Sequence, residues 1–346
     1  MSALRDSAKQ MREMANIYLS DRTTPPKCVH RTILLRSLIL LKQICPETED
    51  FFAPIMKTFM PYAKRPDKKG DYENGAGRHY YCALSLSGKE LPTVNTYYRN
   101  GIKRHTKSAR TMFEEDYTMA LTMQRAGYMD MCGKFLGRAV HMISDMCCLP
   151  HTASMTYYSL GRSFHKAYEL LAEAVYPDLV PEQSLDSLPE IFTSHETFAD
   201  DLNRIVLETA GALPAVQTDP LSAVKEQLLR TERVVAALLL RFYKDLTEPE
   251  RKAHFITNGS GCKLMKDTTP LTIKVTEKGI VLHGVNPSPE SKFNVTDMVF
   301  YAAHRHNGLF TLSPAKDNDG KVLEVSNSKL VLKRFDPLHG EQLFRL

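Results

Sequence analysis

Between Phe135 and Ala174 the chain reads FLGRAVHMISDMCCLPHTASMTYYSLGRSFHKAYELLAEA, and inside this apolar, helix-periodic stretch stand His141, Asp145, His151, His165 and Glu169. These polar groups constrain the fold more than any other feature of the sequence, because an ionisable side chain taken out of water must be paired or must bind a cation. His141 and Asp145 are four apart, as are His165 and Glu169. Four residues of helix turn through about 400°, so each pair projects from one face. Pro150 does not easily continue the first helix, so the chain turns there and can return His151 toward the same spot. Imidazole nitrogen together with carboxylate oxygen suits zinc or another borderline divalent cation. The segment therefore predicts two helices and an intervening turn that face one metal centre.

The surrounding periodicity sets the architecture. From residue 3 to about 248 apolar residues recur at intervals of three and four, as in HRTILLRSLILLKQI and PLSAVKEQLLRTERVVAALLLRFYKDL, which predicts a mainly α chain with a multi-helix domain over 1–250. Residues 1–20 form an amphipathic N-terminal extension. Breaks fall at TTPPK, at KRPDKKGDYENGAGRHYY, at the polar loop SLSGKELPTVNTYYRNG over 85–101, and at YPDLVPEQSLDSLPE. Over 255–346 the pattern changes to short alternating runs such as LTIKVTEKGIVLHGV and GKVLEVSNSKLVLKRF, which predict a small all-β module. Within it, segments beginning at Ile280 and Leu330 share a strand, an Asn/Asp-Pro turn and a second strand closing on Phe293 or Phe344. This period near fifty suggests a β-trefoil-like internal repeat, with two repeats visible.

Composition narrows the setting. A net charge of +5 permits a phosphate-bearing partner without demanding one. The apolar run VVAALLL falls far short of the roughly 18 residues that span a bilayer, so no transmembrane segment is expected. The N-terminal MSALRDSAKQMREMANIYLS lacks the continuous apolar core of a signal peptide. Seven cysteines, none in a CxxC pair, argue against a disulfide framework and against a cysteine-only zinc site. The expected location is cytoplasmic, or secreted by a route that needs no signal.

The order HxxxD, five residues, histidine, thirteen residues, HxxxE resembles the zinc-dependent phospholipase C family, the group that includes bacterial phosphatidylcholine-hydrolysing enzymes and clostridial alpha toxin. The resemblance spans roughly residues 20–245 and extends upstream. CVHRTILLRSL supplies His30 at the opening of an early helix, GDYENGAG supplies Asp71, and RHYY supplies His79. It implies that Asp71, His79, His141 and Asp145 hold one zinc, that His151, His165 and Glu169 hold a second, and that Asp145 bridges to a third that also takes His30. It further implies that Asp71 is the general base and that Tyr72 sits beside the substrate. The implied reaction is hydrolysis of a phosphodiester, in particular a phospholipid head-group phosphodiester at a membrane surface, by zinc-activated water.

The match has one departure. The family completes its third zinc with an N-terminal tryptophan, and this chain contains no tryptophan. Either another group replaces it, or two metals bind, or the N-terminal helix covers the cleft until it is processed. The neighbouring alternative is a zinc-dependent single-strand nuclease, which the basic stretches at 64–69 and 98–110 would also suit. Glu169 as the last ligand, the short gap before His165 and the DYEN element favour the lipase branch. A third reading is a non-catalytic, zinc-stabilised binding protein. For the β module the expectation is carbohydrate or protein docking.

Overall fold

The computed structural model describes residues 2–20, 28–71, 73–74, 77–83, 94–99, 102–153, 155, 161–180, 191–192, 197–252, 255–259, 261–264, 270–283, 298–316, 320–327, 329–336 and 339–345. The helical part comprises α1 (Ser2–Ser20), α2 (Val29–Ile44), α3 (Thr48–Phe52) and α4 (Met56–Tyr62), then α5 (Ala109–Arg125), α6 (Met129–Met146), α7 (Leu149–Thr152) and α8 (Arg162–Val175), and finally α9 (Ala199–Gly211), α10 (Leu213–Thr218), α11 (Pro220–Thr247) and α12 (Pro249–Lys252). A hairpin of β1 (Val94–Arg99) and β2 (Ile102–Lys107) is inserted between α4 and α5.

Helix α6 runs through the middle. Leu136, Val140 and Ile143 on one side of it are fully buried, each worth roughly 1.5–3 kcal/mol of transfer free energy. Its Gly133 and Gly137 let α4 approach closely. A Cβ on Gly137 would lie 2.7 Å from the Phe59 carbonyl oxygen, and one on Gly133 2.7 Å from that of Ile55. The helix ends follow the sequence. The Ser108 hydroxyl accepts from the Thr111 amide at the start of α5, and Asp219 accepts from Ser222 at the start of α11, just ahead of Pro220. Helix α1 packs along α8, with Ala8, Met11 and Ala15 buried and Arg12 donating to the Ser163 hydroxyl at 2.8 Å.

The C-terminal strands are β3 (Gly261–Leu264), β4 (Pro270–Thr276), β5 (Gly279–His283), β6 (Val299–His304), β7 (Leu309–Pro314), β8 (Lys321–Ser326), β9 (Lys329–Arg334) and β10 (Phe344–Arg345). Six of them close an antiparallel barrel in the order β10-β3-β4-β5-β6-β7, while β8 and β9 form a separate hairpin. Strict alternation turns Leu271, Ile273 and Val275 of β4 inward, and Ile280, Leu282, Phe300, Phe310 and Phe344 fill the same interior. The ring is three antiparallel pairs, β3–β4, β5–β6 and β7–β10, with β8–β9 inserted in the third. A β-trefoil inserts such a hairpin in each of three units; among the described residues only the third unit carries one.

The fifty-residue similarity does not mark those units. Ile280 lies in barrel strand β5, Leu330 lies in hairpin strand β9, and Phe293 is outside the described residues. A shared strand-turn-strand pattern is satisfied by non-equivalent places, one in the ring and one in the separate hairpin. The predicted loop over 85–101 also differs, since residues from Val94 onward form β1. The Arg99↔Ile102 register leaves Asn100-Gly101 between the strands, a dipeptide suited to two-residue hairpin connections.

The barrel docks on α5 through two of three consecutive buried acids. Glu114 pairs with Arg305, Glu115 pairs with Lys107 at 2.8 Å and accepts from the Ser313 hydroxyl at 2.6 Å, and Asp116 faces Glu73 and Arg138. The β6 amide of His304 donates to the Thr118 hydroxyl at 3.1 Å, and Tyr301 packs edge-on against Phe135. The helical and β parts thus share a polar, buried seam.

Candidate metal centre

Helix α6 carries Arg138, His141 and Asp145 on one stripe, and the elements around it bring in the remaining groups. His30 comes from the first turn of α2, His151 from α7, and His165 and Glu169 from α8. His79 lies in the turn over 77–79, where the Asn95 side-chain amide donates to the carbonyls of Gly77 and Tyr80. Three groups result in which all ligand atoms lie within 4.8 Å of one another: His30, His141 and Asp145; Asp67, His79 and His141; and His151, His165 and Glu169. Seven of the eight residues named from the sequence are therefore brought together.

The tautomers are fixed from behind. His141 Nδ1 meets the Ala63 carbonyl at 3.0 Å, His151 Nδ1 that of His79 at 2.7 Å, and His165 Nδ1 that of Met155 at 2.7 Å. A carbonyl only accepts, so each Nδ1 carries the proton and each Nε2 lone pair is turned into the cluster, the arrangement that orients imidazole toward a metal. The facing oxygens are close. His165 Nε2 is 2.9 Å from Glu169 Oε1, His151 Nε2 is 3.6 Å from the same atom, and His141 Nε2 is 3.3 Å from Asp145 Oδ2 and 3.5 Å from Asp67 Oδ1. A lone pair set against a carboxylate is repulsive unless a cation, proton or metal, lies between them. Ligands about 2.1 Å from a tetrahedral zinc are ~3.4 Å apart, close to most of these separations. The buried His79 Nε2 and His30 Nδ1 have no hydrogen-bond partner. Donor chemistry, orientation and orphaned nitrogens all fit zinc.

Without metal the cluster is held by proton charge. Burial alone would lower the His141 pKa, yet Asp145, Asp67 and the Ala63 carbonyl raise it to about 9. Burial is likewise outweighed at His151, which lies well above the ordinary histidine value because of Asp145, Cys148 and Glu169. Asp145 is kept well below the usual carboxylate range, since His141 and His151 overcome its desolvation. Glu169 is displaced the same way, with hydrogen bonds from His151 and His165 outweighing burial. His30 goes the other way, to about 4, through burial and the charge on His141 4.0 Å away between ring centroids.

Asp71 departs from the expectation. Its carboxylate is buried and bidentate to Arg138 at 2.8 and 2.7 Å, it accepts from Arg65 Nε at 3.0 Å, and it also accepts from the Glu73 amide. With its lone pairs committed to donors, and its pKa drawn down by Arg138 against the cost of burial, Asp71 is available neither as a ligand nor as a base. Asp67, four residues earlier, is the acid that reaches the cluster. Asp67 has no signal of its own in the sequence, because RPDKKGD offers two acids four residues apart, and Arg138 stands among apolar neighbours. Tyr72 lies outside the described residues. Tyr80 is the aromatic group at the cluster: its ring stacks on His151 at 4.8 Å and its hydroxyl is 3.5 Å from His165 Nδ1.

No protein-family model and no characterised protein sequence matches the chain. Among solved structures it is similar to the alpha-toxin of Clostridium perfringens avian strain SWCP, with 13% identity and a TM-score of 0.48 over 96% of this chain and 94% of that one. It is also similar to the alpha toxin of Clostridium absonum, with 12% identity and a TM-score of 0.46 over 95% and 94%. Among the described residues no helix is long and apolar enough to cross a membrane.

Proposed function

We propose that the chain is a zinc-dependent hydrolase of phosphodiesters, of the phospholipase C type acting on phospholipid head groups. The observation that carries the reading is the set of three histidines whose Nδ1–H groups are tied to backbone carbonyls, so that three Nε2 atoms face carboxylates in a buried cluster. His79, His141, Asp145 and Asp67 would hold one ion and His151, His165 and Glu169 another, with His30 and Asp145 offering a third position. Bound zinc supplies a Lewis acid for phosphoryl oxygen and for water. The chain itself excludes solvent from behind, with Ile143, Leu149 and Phe164 buried around the ligands. It leaves the cluster open on the side where the Asp67 and Glu169 side chains are 47% and 37% exposed. There the exposed Asp67 and Glu169 carboxylates can accept hydrogen bonds from water and orient it. The choice of lipid substrate rests on the spacing of the ligand motifs in the sequence.

The test is zinc per chain, followed by release of phosphocholine from phosphatidylcholine vesicles alongside cleavage of single-stranded DNA. The expected result is two or more zinc ions and release of the head group. Asp145→Asn, which replaces one oxygen of the carboxylate shared by His30, His79 and His141 with an amide nitrogen and removes its charge, is expected to lower turnover by ~100-fold or more, since even outer partners of metal ligands are worth 10–100-fold. Nuclease activity without lipid hydrolysis would transfer the same site to the other substrate class. Bound zinc without either activity would leave a binding protein.

A further inference from the structure

Asp67 is the weakly anchored member of the cluster. It ends a single 3-10 turn, Arg65–Asp67, and its side chain is 47% exposed, whereas Asp145 is 4% exposed. Its position nonetheless matters most between the halves of the site: Oδ1 lies 3.5 Å from His141 Nε2 and Oδ2 3.8 Å from His30 Nε2. One carboxylate thus spans the His30 and His79 groups.

What fixes it is the segment downstream. Gly70, at φ +88°, lets the chain turn so that Asp71 and Asn74 return toward 65–68. The Asp71 amide closes on the Lys68 carbonyl at 3.0 Å, and the Asn74 side chain donates to the Asp67 carbonyl at 2.9 Å. Asp71 joins both ends of this loop to α6, through Arg65 on one side and the two-pronged Arg138 contact on the other. Arg138 also pairs with buried Glu73. Arg138 stands one turn before His141, so the helix that presents His141 and Asp145 also sets the height of the loop that presents Asp67. A bidentate guanidinium–carboxylate pair defines distance and angle together, which a single hydrogen bond does not.

We propose that Asp67 bridges the His30 and His79 halves of the metal cluster, and that Arg138, acting through Asp71, is the positioning pair that holds it there. The inference rests on the zinc reading above and adds to it the origin of the carboxylate that the tryptophan-free third position needs. Asp71 then governs metal binding without touching the metal.

The test titrates zinc against a competing chromophoric chelator in the full chain and in Asp67→Asn, Asp71→Asn and the double variant, with circular dichroism recording the fold. Each single variant is expected to weaken the ion at the His30–His79 side by ~10–100-fold while the ion at His151, His165 and Glu169 keeps its affinity. The double variant is expected to be no weaker than Asp67→Asn, because residues acting through one another are not additive. Asn74→Ala is an exposed change that spares the buried pair and carries the test if Asp71→Asn does not fold; it is expected to weaken the same ion alone. Wild-type affinity in Asp71→Asn, or in Asn74→Ala where that variant stands in, overturns the positioning role, as do additive losses in the double variant. A wild-type chain that binds no zinc overturns the metal reading itself, and this one with it.

Discussion

At the scale of single residues the cluster is a competition between protons and metal for the same lone pairs. His141, raised to about 9, and His151, raised well above 6.5, are protonated at neutral pH in the metal-free chain. A metal must displace those protons, so zinc binding at pH 7 is expected to release them. The sign follows: affinity rises with pH until it passes the His141 value near 9, and falls as acid refills the nitrogens. Calorimetric titration of zinc in buffers of different ionisation enthalpy measures the release directly, and binding enthalpies independent of buffer would refute it. These histidines were legible in the sequence because helical spacing in an apolar run says which groups share a face. Asp67 was not, since choosing between it and Asp71 depends on a contact with Arg138 that lies 67 residues from Asp71 along the chain and has no periodic signature.

At the scale of elements the site depends on how closely α4 approaches α6. The Ala63 carbonyl that orients His141 follows directly on α4, and α4 comes near enough only because positions 133 and 137 lack a Cβ. Gly137→Ala places a methyl against backbone at 2.7 Å, so α4 must shift; overpacking of this kind costs about 1–3 kcal/mol. The expected outcome is that loss in urea unfolding together with weaker zinc binding, because His141 loses its fixed tautomer as the carbonyl retreats. Unchanged zinc affinity in a destabilised variant would detach helix packing from the site. The helices themselves were readable from their three-four periodicity. The β1–β2 hairpin carried an equally local signal in RNGI, but the polar residues before it masked the strand, and its service to His79 through Asn95 is visible only in three dimensions.

At the scale of the whole molecule the sequence divides more cleanly than the structure does. Periodicity changes near residue 250, yet Glu114, Glu115 and Asp116 of α5 are buried against the barrel and its neighbours. A run of three acids inside a helix reads as a solvated face when its partners, Lys107, Ser313 and Arg305, are distributed across both parts of the chain. The Lys107 and Glu115 side chains are only 5% and 2% exposed. Neutralising one of two such charges leaves the other desolvated and unpaired, at about 3–5 kcal/mol, whereas replacing both with apolar groups of similar volume is often tolerated. Glu115→Gln is therefore expected to lower unfolding free energy by that amount, and Lys107→Met with Glu115→Leu to recover most of it. Because the seam belongs to both parts, helical and β signals should lose stability together in one thermal transition. Separate transitions, with only one moved by Glu115→Gln, would mean that the barrel rests on α5 without sharing its stability, and that the segment from Asp116 through Glu73 to Arg138 is held by the helical part alone.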